Sequence, residues 1–243
     1  MIRGVEVPVK LHLNAQGINL DDCVNSKLLL DWAANVEPDL LISEVSVQSA
    51  DYFGKRIGFM KVVTSATRHG APVPGICFLR GGSVSMLVIL QCEGEEWIIC
   101  TRQARVPVGA GALLELPAGM VDDAGELVGV AVKELAEEVR IILKKADLID
   151  MTELAWRGRS MPRGAHPSPG GSDEFIRFFL HKRNVTREEL NAMRGKATGN
   201  IEEGETIVLD LIPRKDLWKM TSDMKAMSSM LLYQQLTAEG LIA

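Results

Sequence analysis

The stretch Glu115–Ile141, ELPAGMVDDAGELVGVAVKELAEEVRI, decides the reading of this chain. Val128, Ala131, Val132, Leu135, Val139 and Ile142 follow one another at steps of 3, 1, 3, 4 and 3. That period predicts a helix over Leu127–Leu143 with one stripe facing a core. Glu134, Glu137 and Glu138 fall opposite the stripe, within about 100° of arc. Carboxylates roughly 4 Å apart repel by up to about 4 kcal/mol at an effective dielectric near 20. Water relieves this on an open face, and a hard divalent cation such as Mg²⁺ relieves it by taking oxygen ligands. Glu is also a common helix former. The three glutamates alone therefore fit an acidic surface as well as a metal site.

Outward from this segment the chain reads as short strands with a few helices. Val84–Leu90 is a nearly continuous apolar run, the mark of a buried strand. A polar turn over Cys92–Glu96, containing Gly94, leads to a strand at Trp97–Arg102. Residues 103–119 read as loop. Beyond the helix, 147–156 suggests a strand, Pro162–Gly171 a loop, Phe175–Leu180 a strand and Arg187–Arg194 a short helix. Ile207–Ile212 reads as a strand. Asp223–Leu236 reads as a helix with Met224, Met227, Leu231 and, as an option, Leu232 inward, Met224 and Met227 as core or dimer contacts. Towards the start, Val5–Leu13, Leu40–Val47 and Ile57–Val63 read as strands and Asn25–Ala34 as a helix. Gly70–Gly75 reads as a turn or linker. The pattern predicts an α/β (α+β) protein with a β-rich unit over 1–75 and a larger unit over 76–243.

Composition narrows the function. The 243 residues carry 27 basic and 32 acidic side chains, a net charge of −5, and 47% are hydrophobic. This is a globular mix, not a disordered one. No long tract of like charge argues for nucleic-acid binding, and no apolar window is long enough for a membrane helix. The first residues show neither a continuous apolar signal region nor a Ser/Arg-rich transit segment, so a cytoplasmic location is expected. Cys23, Cys77, Cys92 and Cys100 lack CxxC spacing and read as reduced thiols. The four histidines are too scattered for a zinc site.

Gly119, Glu134, Leu135, Glu137, Glu138 and Ile141 resemble the Nudix box, G-x5-E-x7-R-E-U-x-E-E-x-G-U, where U is aliphatic. Three positions depart from it. Gly125 stands where the box has its first glutamate, with Glu126 next door. Lys133 replaces the arginine, keeping its charge but losing the planar fork. Arg140 replaces the glycine that would end the helix in a left-handed conformation. Either the helix runs on towards Leu143, or Arg140 is locally strained. The resemblance extends over 76–243, in APVPGICFLRGGSVSMLVIL, RQARVPVGAGALLELPAGM, PSPGGSDEF and LIPRKDLWKMTSDMKAMSSMLLYQQ. The chain is most similar to plant-type ADP-sugar diphosphatases, which also cleave ADP-ribose.

This resemblance implies a Nudix fold, a mixed sheet sandwiched between helices, with the N-terminal β-rich domain serving dimerisation and substrate binding. It implies Mg²⁺, or Mn²⁺, held by the Ala118 carbonyl with Glu134 and Glu138, and Glu137 in support. Arg105 matches an arginine near the phosphates, and Arg102 shares its side if the strand pairs regularly. Gly119 belongs to the substrate loop. Glu174 matches the loop glutamate that acts as general base, with Asp173 the alternative; the Gly-rich loop carrying it can close on substrate. His166, in the same loop, is an ordinary loop histidine or a substrate contact. Tyr52 and Phe53 are the aromatic candidates for adenine, or else core packing. Lys225 belongs to a family motif whose role the sequence does not give. The implied reaction is cleavage of an ADP-sugar, ADP-glucose or ADP-ribose, to AMP and a sugar phosphate by a homodimer. A broader dinucleotide or NADH diphosphatase and a catalytically weakened nucleotide-sugar sensor are the alternatives.

Overall fold

The computed structural model describes residues 2, 4–121, 126–158, 163–198 and 206–242. Gly125 lies outside the described residues. The chain forms two compact units. The first holds Met1–Gly82 with His166–Phe175, and the second holds Ser83–Ala165 with Ile176–Ala243.

In the first unit, β2 (Leu40–Phe53) and β3 (Arg56–Arg68) form a long antiparallel hairpin. Gly54 turns it at a φ of +64°, where a Cβ would be strained. β1 (Val9–Leu11) pairs parallel with β2, whereas β4 (Ala71–Val73) and β5 (Ile76–Leu79) both pair with β3. Strand alternation buries Val45, Val47, Met60 and Val62. The apolar sides of α1 (Leu20–Val24) and α2 (Lys27–Asn35) join that core through Cys23 and Leu29. Ser26 caps α2 by accepting the Leu29 amide, so Asn25 lies between two helices rather than inside one. The expected linker at Gly70–Gly75 contains β4.

The second unit is built on an eight-stranded sheet. Its strands are β6 (Gly82–Cys92), β7 (Glu95–Arg105), β8 (Ala110–Glu115), β9 (Ala118–Met120), β10 (Ile149–Asp150), β11 (Phe175–Asn184), β12 (Ala197–Thr198) and β13 (Ile207–Pro213). The order runs β10-β11-β6-β7-β13-β12, with β8 on β7 and β9 on β6. Glu93 and Gly94 both have positive φ, the two-residue turn that matches strand twist, and close the β6–β7 hairpin. The buried run in β6 serves two faces. Leu87 and Ile89 share one core cluster with Met230 and Tyr233 of α7 (Met224–Ala238), while Val84, Met86 and Val88 share another with Val130, Ala131 and Leu135 of α3 (Leu127–Glu138). Helices thus cover both sides of the sheet.

Several sequence expectations change here. The loop expected over 103–119 contains β8 and β9, whose main chain is paired despite Gly111 and Pro117. The strand expected over 147–156 is only β10. Asp150 then accepts the Glu153 amide and starts α4 (Met151–Trp156). Helix α7 turns largely its other side inward: Ala226, Ser229, Met230, Tyr233 and Leu236 are buried and Met224, Met227 and Leu231 are exposed, while Leu232 of the expected set does pack against the core. Helix α3 stops at Glu138. Arg140 takes φ +59°, and the Ile141 amide turns back to the Leu135 carbonyl at 3.1 Å. Arginine therefore performs the left-handed stop usually given to glycine, and the strained alternative is the one realised. As a result Ile142 leaves the stripe and is 90% exposed.

Candidate active site

Helix α3 and the Leu116–Gly119 segment build the centre of the second unit. Glu138 is only 4% exposed, and its Oε2 accepts the Ala118 amide at 3.2 Å. The Glu134 carboxyl lies against Gly119: a Cβ there would come 2.1 Å from Glu134 Cδ. Only glycine leaves room for that carboxylate. The three glutamates do not share one solvated face, because Glu138 is buried while Glu137 is exposed. Among the described residues Glu137 pairs with Lys133, at 4.0 Å and largely in solvent. Such an i,i+4 pair, with the lysine N-terminal, contributes a few tenths of a kcal/mol at most. Glu126 points elsewhere, to an exposed ion pair with Lys145.

The donor set fits a hard cation. Glu134, Glu138 and the Ala118 carbonyl supply oxygen only. Among the described residues no three Asp, Glu, His or Cys side chains cluster as a ready-made metal cage. Two carboxylates and a main-chain carbonyl suit Mg²⁺, which keeps waters and substrate phosphates in its shell; they do not suit an all-protein calcium or zinc site.

Behind this segment lies an ionic quartet in which Glu115, Asp223 and Lys225 are buried and Arg105 is 40% exposed. Glu115 Oε1 accepts Arg105 Nε–H at 2.7 Å, and Glu115 Oε2 pairs with Lys225 Nζ at 3.0 Å. Lys225 Nζ also meets Asp223 Oδ1 at 2.9 Å. Asp223 Oδ2 accepts the Leu116 amide at 3.0 Å, and its Oδ1 caps α7 through the Lys225 amide. Burial works to lower the Lys225 pKa, but the charges of Asp223 and Glu115 and their hydrogen bonds outweigh it and hold the ammonium above the usual lysine value. Sequence reading missed Glu115 and Asp223. A charged residue at each end of a 110-residue separation leaves no local pattern to find.

The two arginines lean to opposite neighbours of β7. Arg102 bonds Asp210 of β13 through Nε and Nη2, both at 2.9 Å. Arg105 turns to β8. The pairing between them is not regular: the register shifts between Gln103 and Arg105. Regular pairing would in any case place residues three apart on opposite faces, so the expected shared side has no basis in an unbulged strand. The Glu115 bond uses Nε–H of Arg105 and leaves its Nη donors for another acceptor.

The first unit holds the remaining candidates. Asp173 Oδ1 accepts the amides of Arg80 and Gly81 at 2.8 and 3.1 Å. Glu174 pairs with Arg80 Nη2 at 3.5 Å, and its carbonyl bonds His166 Nδ1 at 2.9 Å. Asp173 is therefore a structural cap. The loop expected to close on substrate is tied down by Phe78 N–H to Gly171 O at 2.7 Å and by Asp173 N–H to Phe78 O at 3.4 Å. Tyr52 donates to Asp22 at 3.1 Å. Phe53 lies over Gly58 and meets Phe59 edge-on, and Phe59 in turn meets Phe78. Tyr52 and Phe53 are both about two-fifths exposed, at 39% and 42%. Cys77 is a poor nucleophile, since burial and the Asp173 charge push its thiol up to about 11.

Comparison with known proteins bears on this geometry. Residues 79–230 match the NUDIX domain. The chain is 41% identical over 233 residues to Nudix hydrolase 14, chloroplastic, of Arabidopsis thaliana, covering 91% of this chain and 74% of that protein. It is 25% identical over 158 residues to an uncharacterised Nudix hydrolase of Schizosaccharomyces pombe, covering 58% and 71%. The solved structure of an ADP compounds hydrolase shares the fold with a TM-score of 0.53 at 13% identity, covering 86% of this chain and all of that one. The glutamates of α3, the glycine that admits one of them and the match across the domain agree, and the chain belongs to the Nudix hydrolase family.

Proposed function

We propose that this Nudix hydrolase cleaves the diphosphate bond of ADP-sugars, ADP-glucose and ADP-ribose, giving AMP and a sugar phosphate, with Mg²⁺ or Mn²⁺. The observation that carries the reading is the approach of Glu134 and Glu138 to the Ala118–Gly119 segment. Support for the ADP-sugar comes from the resemblance to the plant-type branch and from the fold shared with an ADP compounds hydrolase.

Glu134, Glu138 and the Ala118 carbonyl would hold the cation, with Glu137 in support. When bound, the cation neutralises diphosphate oxygens and lowers the pKa of an attacking water. Glu115 fixes the Arg105 fork at Nε, so its Nη donors are oriented for a phosphate oxygen. Arg102 is the weaker substrate candidate, because Asp210 holds it. Gly119 keeps the segment next to Glu134 open. Glu174 is assigned as general base in preference to Asp173, whose carboxylate is committed to two amides. Tyr52 and Phe53 are assigned to the adenine on family grounds and on their exposure. A homodimer is part of the same reading. Met224, Met227 and Leu231 of α7, and Trp218 and Met220 of α6 (Leu217–Met220), are exposed apolar side chains available to a self-contact.

The test is a coupled phosphate-release assay on ADP-glucose, ADP-ribose, NADH and diadenosine polyphosphates, with Mg²⁺ and with chelator. The expected result is metal-dependent turnover with kcat/KM highest on an ADP-sugar. A preference for NADH or a dinucleotide polyphosphate would overturn the substrate assignment.

A further inference from the structure

We propose that Lys225 is a positioning residue: from the first turn of α7 it sets the Leu116–Gly119 segment against Glu134 and Glu138 and aims Arg105. The inference rests on the metal-dependent reading above and names a part of the molecule that reading does not use.

Three consecutive residues are gripped by one short stretch of chain. The Leu114 carbonyl accepts the Thr221 hydroxyl, the Glu115 carboxylate meets Lys225 at 3.0 Å, and the Leu116 amide donates to Asp223 at 3.0 Å. Two residues further on, the Ala118 amide meets Glu138. The grip therefore ends at the main chain that lies beside both metal-binding glutamates. Glu115 divides its two oxygens between Lys225 and Arg105, so one ammonium governs the segment and the arginine together.

Stability does not explain this choice. The side chains of Glu115, Asp223 and Lys225 are 3%, 5% and 16% exposed. Apolar residues of similar volume would serve a core at least as well as ions so far from water. What an ion pair adds is a fixed distance and direction. A metal centre of two carboxylates and one carbonyl needs that, because its ligands do not enclose the ion.

The experiment uses the full chain as wild type, Lys225→Met, Lys225→Arg and a core variant outside the quartet, Leu190→Ala. Leu190 is buried on α5 (Arg187–Met193) in the core that holds Val130 and Leu135 of α3, not in the one that holds Leu114, Leu116 and Ala226 beside the quartet. Mn²⁺ affinity is read without substrate, from the electron paramagnetic resonance of the free ion. kcat and KM for ADP-ribose and stability in urea are measured alongside. Lys225→Met is expected to weaken Mn²⁺ binding by about tenfold to hundredfold and to lower kcat more than it raises KM. Lys225→Arg recovers part of both. Leu190→Ala loses stability and keeps wild-type Mn²⁺ affinity.

A folded Lys225→Met with wild-type Mn²⁺ affinity and kcat overturns the proposal. So does an equal loss of affinity in Leu190→Ala. If Lys225→Met does not fold, the isosteric Glu115→Gln takes its place with the same expected losses and the same refuting result. A wild type that binds Mn²⁺ but turns over no ADP-sugar refutes the proposed reaction alone, and the affinities still decide the role of Lys225. A wild type that binds no Mn²⁺ refutes both.

Discussion

Arg140 stands at φ +59° because α3 must stop after Glu138 and let Ile141 turn back to Leu135. A β-carbon in that conformation costs about 1–2 kcal/mol, part of which glycine returns through its freer unfolded chain. Arg140→Gly is therefore expected to stabilise the protein by about 0.5–1 kcal/mol and raise Tm by roughly 1–4 °C in a thermal melt. An unchanged or lower Tm would remove the strain argument. Gly119 presents the reverse case. In Gly119→Ala the new methyl displaces the tip of Glu134, a flexible side chain, so the cost falls on the site. We expect a urea midpoint close to wild type and at least about a tenfold loss of Mn²⁺ affinity, as for other disturbances beside a metal ligand. Lys225 sets a pH dependence whose sign follows from its raised pKa. A raised folded-state value means that its contribution is complete below the unfolded lysine value near 10.4 and is lost as pH rises through the folded one. On the alkaline side, wild type should lose its urea-stability advantage over Lys225→Met on that limb; a loss already near pH 8 would contradict the assignment. At this scale the family resemblance pointed to Glu134, Glu138 and Ala118 and the box pattern to the choice at Arg140, and the structure brings both glutamates beside Ala118 and Gly119. The sequence did not show Glu115, whose partners come from far along the chain.

Elements whose pattern is one-sided could be read, and those that are apolar all round could not. Helix α3 carries charge on one side, and its stripe was legible up to its stop. In α7 the inward Ala226, Met230 and Tyr233 are no more apolar than the outward Met224, Met227 and Leu231. Period alone then cannot choose a face. Residues 147–156 looked extended because the cap that starts α4 is a single aspartate. The start of α7 has greater consequence than its face. Asp223 caps the helix, holds Lys225 and anchors Leu116. Asp223→Ala removes a cap worth about 1 kcal/mol and leaves a buried ammonium and an amide short of a partner, at about 1–3 kcal/mol each. The expected loss in urea unfolding is about 3 kcal/mol or more. A loss below about 1 kcal/mol would mean that the helix start is not an anchor.

On the scale of the whole molecule, the glutamates of α3, the Ala118 segment and the ionic quartet all fall within the second unit, and the family match over 79–230 takes in most of that unit together with Arg80 and the His166–Phe175 return of the first. Glu174, Arg80 and the aromatic row fall within the first. The strands of the start and the α/β (α+β) class were legible from strand patterns, the mixed sheet between helices came from the family resemblance, and the return of His166–Phe175 to the first unit had no local signal. Everything proposed for the chemistry depends on Glu134 and Glu138, held beside Ala118 and Gly119, making a metal-dependent hydrolytic centre. The most direct measurement compares wild type and Glu138→Gln, an isosteric change at the buried carboxylate, for ADP-ribose turnover and for Mn²⁺ binding in the same preparation. A folded Glu138→Gln is expected to lose Mn²⁺ affinity and to fall at least about a hundredfold in kcat, at the upper end of losses from disturbing a metal site. Wild-type turnover in Glu138→Gln, or turnover by wild type that persists in chelator, would contradict it.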